Sequence, residues 1–130
     1  MTKVDAKGGK VEELKEKECK VIVISPQKGE ILDIIPKNRK DMKWSHTCSY
    51  PNRTVQIDLL QIKATKKIFY GTIEYNKPDN GQYNWEVGSY WKDGRPRTAP
   101  IGKYQIKISV KSNGTLTKCS GVSEIFELKP

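Results

Sequence analysis

Any chemistry in this chain must be built from three cysteines, one histidine and scattered carboxylates. Thiolates and imidazole are the usual donors for zinc, yet no two of Cys19, Cys48 and Cys119 stand at the C-x2–4-C spacing of a zinc knuckle. A site built from the cysteines and His46 is conceivable, but no metal is expected. Asp33, Asp41, Asp58, Glu74 and Glu86 fall in no paired catalytic motif, although glycosidase carboxylates can come from separate strands. The serines lack a G-x-S-x-G context. The expectation is a protein without catalytic activity or cofactor. A second group suits recognition better than reaction. Tyr90, Trp91, Arg95 and Arg97 lie in a stretch rich in turn residues. Aromatic and arginine side chains dominate binding hot spots and stack on sugars, bases or partner side chains. They are assigned to a ligand or partner, with a plug over an open end of the domain as the plainer role. Asn52 and Asn113 each begin an N-x-S/T sequon. A secreted eukaryotic protein would carry glycan there, though such sequons also arise by chance.

These residues need a scaffold, and the chain indicates which kind. With 130 residues it suits one compact domain. Its mean hydropathy is −0.70, and no apolar run is long enough to span a bilayer as a helix. Residues 1–19 read as a flexible or partly helical arm, with Glu13–Lys17 and Glu16–Lys20 at favourable i,i+4 spacing but only Val11 and Leu14 to bury. The arm has no apolar signal region, so either a leader has been removed or export by that route does not occur. Over 20–130 the hydrophobic period is two. Short apolar-alternating runs occur at 21–24, 42–44, 55–60, 68–73, 83–87, 104–110 and 126–128, separated by turn residues such as Asn113-Gly114. Seven such strands favour an antiparallel β-sandwich of immunoglobulin or fibronectin III type. Tyr104, just after Gly102 and two residues before the apolar Ile106, stands where such domains place a tyrosine corner. Trp44 and Trp85 fall on inward positions and belong to the core. The net charge of +9 is spread along the chain, which fits lysines on outward faces better than a nucleic-acid stripe.

Six segments carry a family resemblance, in order. They are Ile24-Ser25-Pro26-Gln27-Lys28-Gly29-Glu30, Met42-Lys43-Trp44, Val55-Gln56-Ile57-Asp58-Leu59-Leu60, Asn80-Gly81-Gln82-Tyr83-Asn84-Trp85-Glu86-Val87, Gly102-Lys103-Tyr104-Gln105-Ile106-Lys107-Ile108 and Ser123-Glu124-Ile125-Phe126. Together they resemble the Ser/Thr-rich glycosylphosphatidylinositol-anchored membrane protein family, whose domain is shared with yeast cell-wall β-1,6-glucan assembly proteins. The resemblance runs from about Val21 to Leu128. It implies an extracellular or cell-surface module without catalytic residues, binding a polysaccharide or a surface protein. The alternative is a structural subunit of a surface layer, filament or virion, assembling through its arm and its sheet edges.

In a sandwich of this order the three cysteines lie at one end. The expected bridge is Cys48–Cys119, with Cys19 free or bonded to another chain; Cys19–Cys48 and three reduced thiols are the alternatives.

Overall fold

The computed structural model describes residues 19–130, and apart from Cys19 and Lys20 the expected arm and its helix-prone 11–20 stretch lie outside the described residues. The strands are β1 (Val21–Ser25), β2 (Ile31–Asp33), β3 (Arg39–His46), β4 (Arg53–Lys63), β5 (Lys66–Pro78), β6 (Gln82–Glu86), β7 (Ser89–Lys92), β8 (Arg95–Thr98), β9 (Gly102–Ser112), β10 (Thr115–Val122) and β11 (Phe126–Lys129). A three-stranded sheet, β1-β3-β6, faces a large sheet ordered β2-β11-β9-β4-β5-β7-β8, in which β10 also pairs with β9. The described residues are therefore all-β and sandwich-like, as expected, but with eleven strands among them instead of seven. The large sheet is also not purely antiparallel, because β11 pairs with β2 in parallel.

Period-two patterning explains the layers. Met42 and Trp44 from β3 and Trp85 from β6 point inward from the small sheet. They meet Val55, Ile57 and Leu59 of β4, Tyr104, Ile106, Ile108 and Val110 of β9, and Phe126 and Leu128 of β11. Trp85 and Phe126 join the sheets edge to face, with ring centroids 6.2 Å apart. Both Trp44 and Trp85 belong to this core. At the expected corner, the Tyr104 hydroxyl donates to the Pro100 carbonyl at 2.8 Å.

One polar knot ties the small sheet to the large one. The Asp79 carboxylate, in the β5–β6 turn, accepts from Trp44 Nε1 at 2.9 Å, His46 Nε2 at 2.9 Å and Arg53 Nε at 3.2 Å. Its side chain is only 2% exposed, so its charge is compensated by donors from two other strands and not by water. Asp79→Ala leaves those donors without their acceptor. Urea unfolding is expected to show a loss of about 3 kcal/mol, as for removal of one partner from a buried ion pair.

Candidate functional site

The stretch expected to be a loop at Tyr90–Arg97 is a hairpin. Asp93 and Gly94 turn it with φ of 54° and 72°, the double-positive geometry of a type I′ turn. Across it Tyr90 pairs with Arg97, Trp91 with Pro96 and Lys92 with Arg95. Its base is held by Trp85 Nε1 donating to the Ser89 carbonyl at 2.9 Å and by Ala99 N donating to the Gly88 carbonyl at 2.7 Å.

Successive strand residues point to opposite faces, and this separates the four expected binding residues. Tyr90 turns inward and is 7% exposed, so its ring packs within the fold. Its ring meets Tyr70 edge-on at 5.1 Å, and Tyr70 meets Tyr104 at 6.0 Å. Gly71 makes this docking possible: a Cβ there would run into the Tyr90 ring and lie 2.8 Å from the Trp91 carbonyl. Arg95 and Arg97 are exposed, but the register puts them on the Tyr90 side of the hairpin. Trp91 projects the other way and is 44% exposed.

On its own face Trp91 has different neighbours. Cross-strand partners share a face, so the register aligns Lys107, Asp58, Thr72, Trp91 and Pro96 across the outer side of the large sheet. An adjacent row aligns Gln105, Leu60 and Phe69, and a third aligns Lys103, Ile62 and Lys67. Phe69 is 57% exposed. The surface thus carries two exposed aromatics with lysines along it. Asp58 on this face is buried and accepts from Thr72 Oγ1 at 2.9 Å and Gln56 Nε2 at 3.1 Å, so it serves the sheet. Phe69 was not singled out from the sequence. The place of Phe69 in the 68–73 run, two residues after Lys67, was the available signal.

The cysteines do converge at one end. Cys19 lies before β1, Cys48 after β3 and Cys119 within β10. Cys19 Sγ stands at bonding distance from both Cys48 and Cys119, while the Cys48 and Cys119 sulfurs are 3.1 Å apart. The expected Cys48–Cys119 partners are neighbours, but Cys19 is the sulfur that reaches both. His46 does not complete a metal set with them. Its Nδ1 accepts from Cys48 N at 3.3 Å and its Nε2 faces Asp79, so the three sulfurs, all within 4.8 Å of one another, stand as a group without it. Asn52 and Asn113 are exposed on adjoining loops, where Asn52 Nδ2 donates to Asn113 Oδ1 at 2.6 Å.

The tyrosines that support the hairpin share one electrostatic consequence. Burial first, then the neighbouring Tyr70, pushes the Tyr104 hydroxyl up to about 12. Burial likewise raises Tyr90, with Tyr70 adding to it. The folded chain therefore keeps these protons at pH values where the unfolded chain has lost them. Their contribution to stability is present below about pH 10, the value of a free tyrosine, and is lost as pH rises toward about 12. Unfolding monitored with tyrosinate absorbance is expected to show that alkaline decline. Tyr104→Phe should remove its share of the decline while costing about 1 kcal/mol at neutral pH through the lost corner hydrogen bond.

No protein-family model, curated protein or solved structure matches this chain.

Proposed function

We propose that the chain is a non-catalytic binding module of the cell surface, and that it engages a polysaccharide through the outer face of the large sheet. The observation that carries this reading is the exposed pair Trp91 and Phe69 on a rigid sheet face lined by Lys67, Lys103 and Lys107. Aromatic rings offer the C–H faces of a sugar a flat apolar platform. Lysines alongside favour a chain bearing carboxylate or sulfate groups. Strands hold such groups in place more firmly than a loop would, so little ordering is lost on binding. The resemblance of the six segments to the glycosylphosphatidylinositol-anchored family supports an extracellular setting, and the Tyr104–Pro100 hydrogen bond supports an immunoglobulin or fibronectin III type of sandwich. A polysaccharide array is the direct test. Binding to acidic glycans is expected, with Trp91→Ala and Phe69→Ala each weakening it about tenfold or more. Arg95→Ala and Arg97→Ala should have smaller effects. Absence of glycan binding, or unchanged affinity in Trp91→Ala, would remove the site.

A second reading, a structural subunit, draws on one observation. Ile22 and Ile24 are 61% and 51% exposed on β1, which pairs only with β3 among the described residues. Size-exclusion chromatography with light scattering separates the two. The binding-module reading expects a monomer of 14.8 kDa, whereas a concentration-dependent larger species would favour assembly.

A further inference from the structure

We infer that the three cysteines form an internal thiol–disulfide exchange site, in which one disulfide passes between Cys19–Cys48 and Cys19–Cys119 and the third sulfur is the resident thiol. Stoichiometry is the first ground. Three sulfurs meet at one place and a sulfur carries one disulfide, so Cys19 can pair with Cys48 or with Cys119 but not with both. The backbone is the second. Cα–Cα separations of 4.4 Å for Cys19–Cys48 and 5.9 Å for Cys19–Cys119 both lie within disulfide reach, so neither pairing calls for refolding. The third ground is proximity, because the three sulfurs lie within 4.8 Å of one another, so whichever is left over stands near the bond it would attack.

Position in the fold permits the exchange. Cys19 precedes the first ladder pair, Val21 with His46, and Cys48 follows the last residue of β3. Cys119 sits where the β10–β9 register shifts between Leu116 and Ser120. Each sulfur can therefore move by a bond length without breaking a registered strand pair. Cys48 and Cys119 are 7% and 5% exposed, so the resident thiol is shielded from outside reagents but not from its neighbour.

The step is balanced within the trio. The Cys119 thiolate attacks Cys19 Sγ, the Cys19–Cys119 bond forms, and the Cys19–Cys48 bond breaks. Its electron pair leaves on Cys48 Sγ, which takes up the proton that Cys119 gave. Nothing is oxidised or reduced overall, and no co-reactant is consumed. Both isomers keep the start of β1 tied to the sandwich, because Cys19 belongs to each. They differ in whether the segment after β3 or strand β10 holds the tie.

Tryptic mapping reads the site directly, since cleavage after Lys and Arg, except before Pro, puts the cysteines in separate peptides, 18–20, 44–53 and 119–130. The full chain, prepared without reductant, is quenched in acid, unfolded and labelled with a maleimide before digestion. The expected result is one label per chain, divided between Cys48 and Cys119, together with both Cys19-linked peptide pairs from a single preparation. Cys48→Ser and Cys119→Ser should each collapse the pattern to the one remaining Cys19 bond with no labelled thiol. A single linkage in the unmodified chain, unchanged by a trace of small thiol, would overturn the proposal. So would three labelled cysteines, whether from a metal-free chain or from one carrying stoichiometric zinc or copper by native mass spectrometry.

Discussion

Between β4 and β9 the ladder runs without a slip from Arg53 opposite Ser112 to Ile62 opposite Lys103. Side chains alternate along a strand, so this one register decides the fate of both surfaces of the large sheet. Val55, Ile57 and Leu59 are turned inward with Ile106, Ile108 and Val110, while Asp58, Leu60 and Ile62 are turned outward with Lys107, Gln105 and Lys103. A shift by a single residue would exchange the two sets, putting lysines in the core and valine and isoleucine in water. Burial of so many β-branched and aliphatic side chains, each worth roughly 1.5–3 kcal/mol, holds the register where it is. The outer face is therefore not an independent feature. It is the outer side of the same alternation that builds the core.

The β4–β5 ladder behaves differently, and the hairpin depends on that difference. Its register shifts near Val55, Ile57 and Leu59, and bulges of this kind bend a strand and increase its twist. Leu59 opposes Gly71 but Leu60 opposes Phe69, so Tyr70 is the extra residue on β5. That residue supplies the ring on which both Tyr90 and Tyr104 pack. Gly71 next to it lets β7 approach closely enough to pair. A bulge, a glycine and three tyrosines thus orient Trp91, and none of them touches the surface it presents.

Much of this was readable in the residues, for reasons that also mark where reading stops. Strands β3, β4, β6 and β9 announce themselves because one face of each is polar and the other apolar, while β1 does so as a short apolar run over 21–24 closed by Ser25-Pro26. Trp44, Trp85 and the Tyr104 corner follow from that alternation. Strand β2 does not, since its three residues are stabilised by parallel pairing with β11, a partner distant in the chain. Strand β10 carries Thr117 where an apolar residue would be expected, and its ladder is interrupted there. The β7–β8 hairpin had its turn signal in Asp93-Gly94, but Arg95, Pro96 and Arg97 lack the apolar alternation that usually accompanies one. Reading the segment as a loop grouped Trp91 with the arginines, whereas a strand sends them to opposite faces. The meeting of the cysteines was legible from strand order. Their pairing was not, because three sulfurs at one point leave the choice to exchange.

The free edges of the two sheets bear on which biological role the fold suits. At β8 the outermost strand offers Pro96, which has no N–H to donate, between two arginines that would repel a like strand. Such an edge resists extension by strand addition, and it borders the face that carries Trp91. At β1 the outward residues are Ile22 and Ile24, yet the strand's start is crowded: a Cβ at Gly121 of β10 would strike the Val21 backbone. Cys19 holds that same start to the rest of the fold in either disulfide isomer. An edge pinned at its first residue and packed against the opposite sheet has little freedom to open toward a neighbouring chain. The large sheet's outer face needs no such opening, because Trp91 and Phe69 are already displayed there on strands held by ladder pairs. Physical economy therefore favours recognition on a preformed face over assembly through strand exchange.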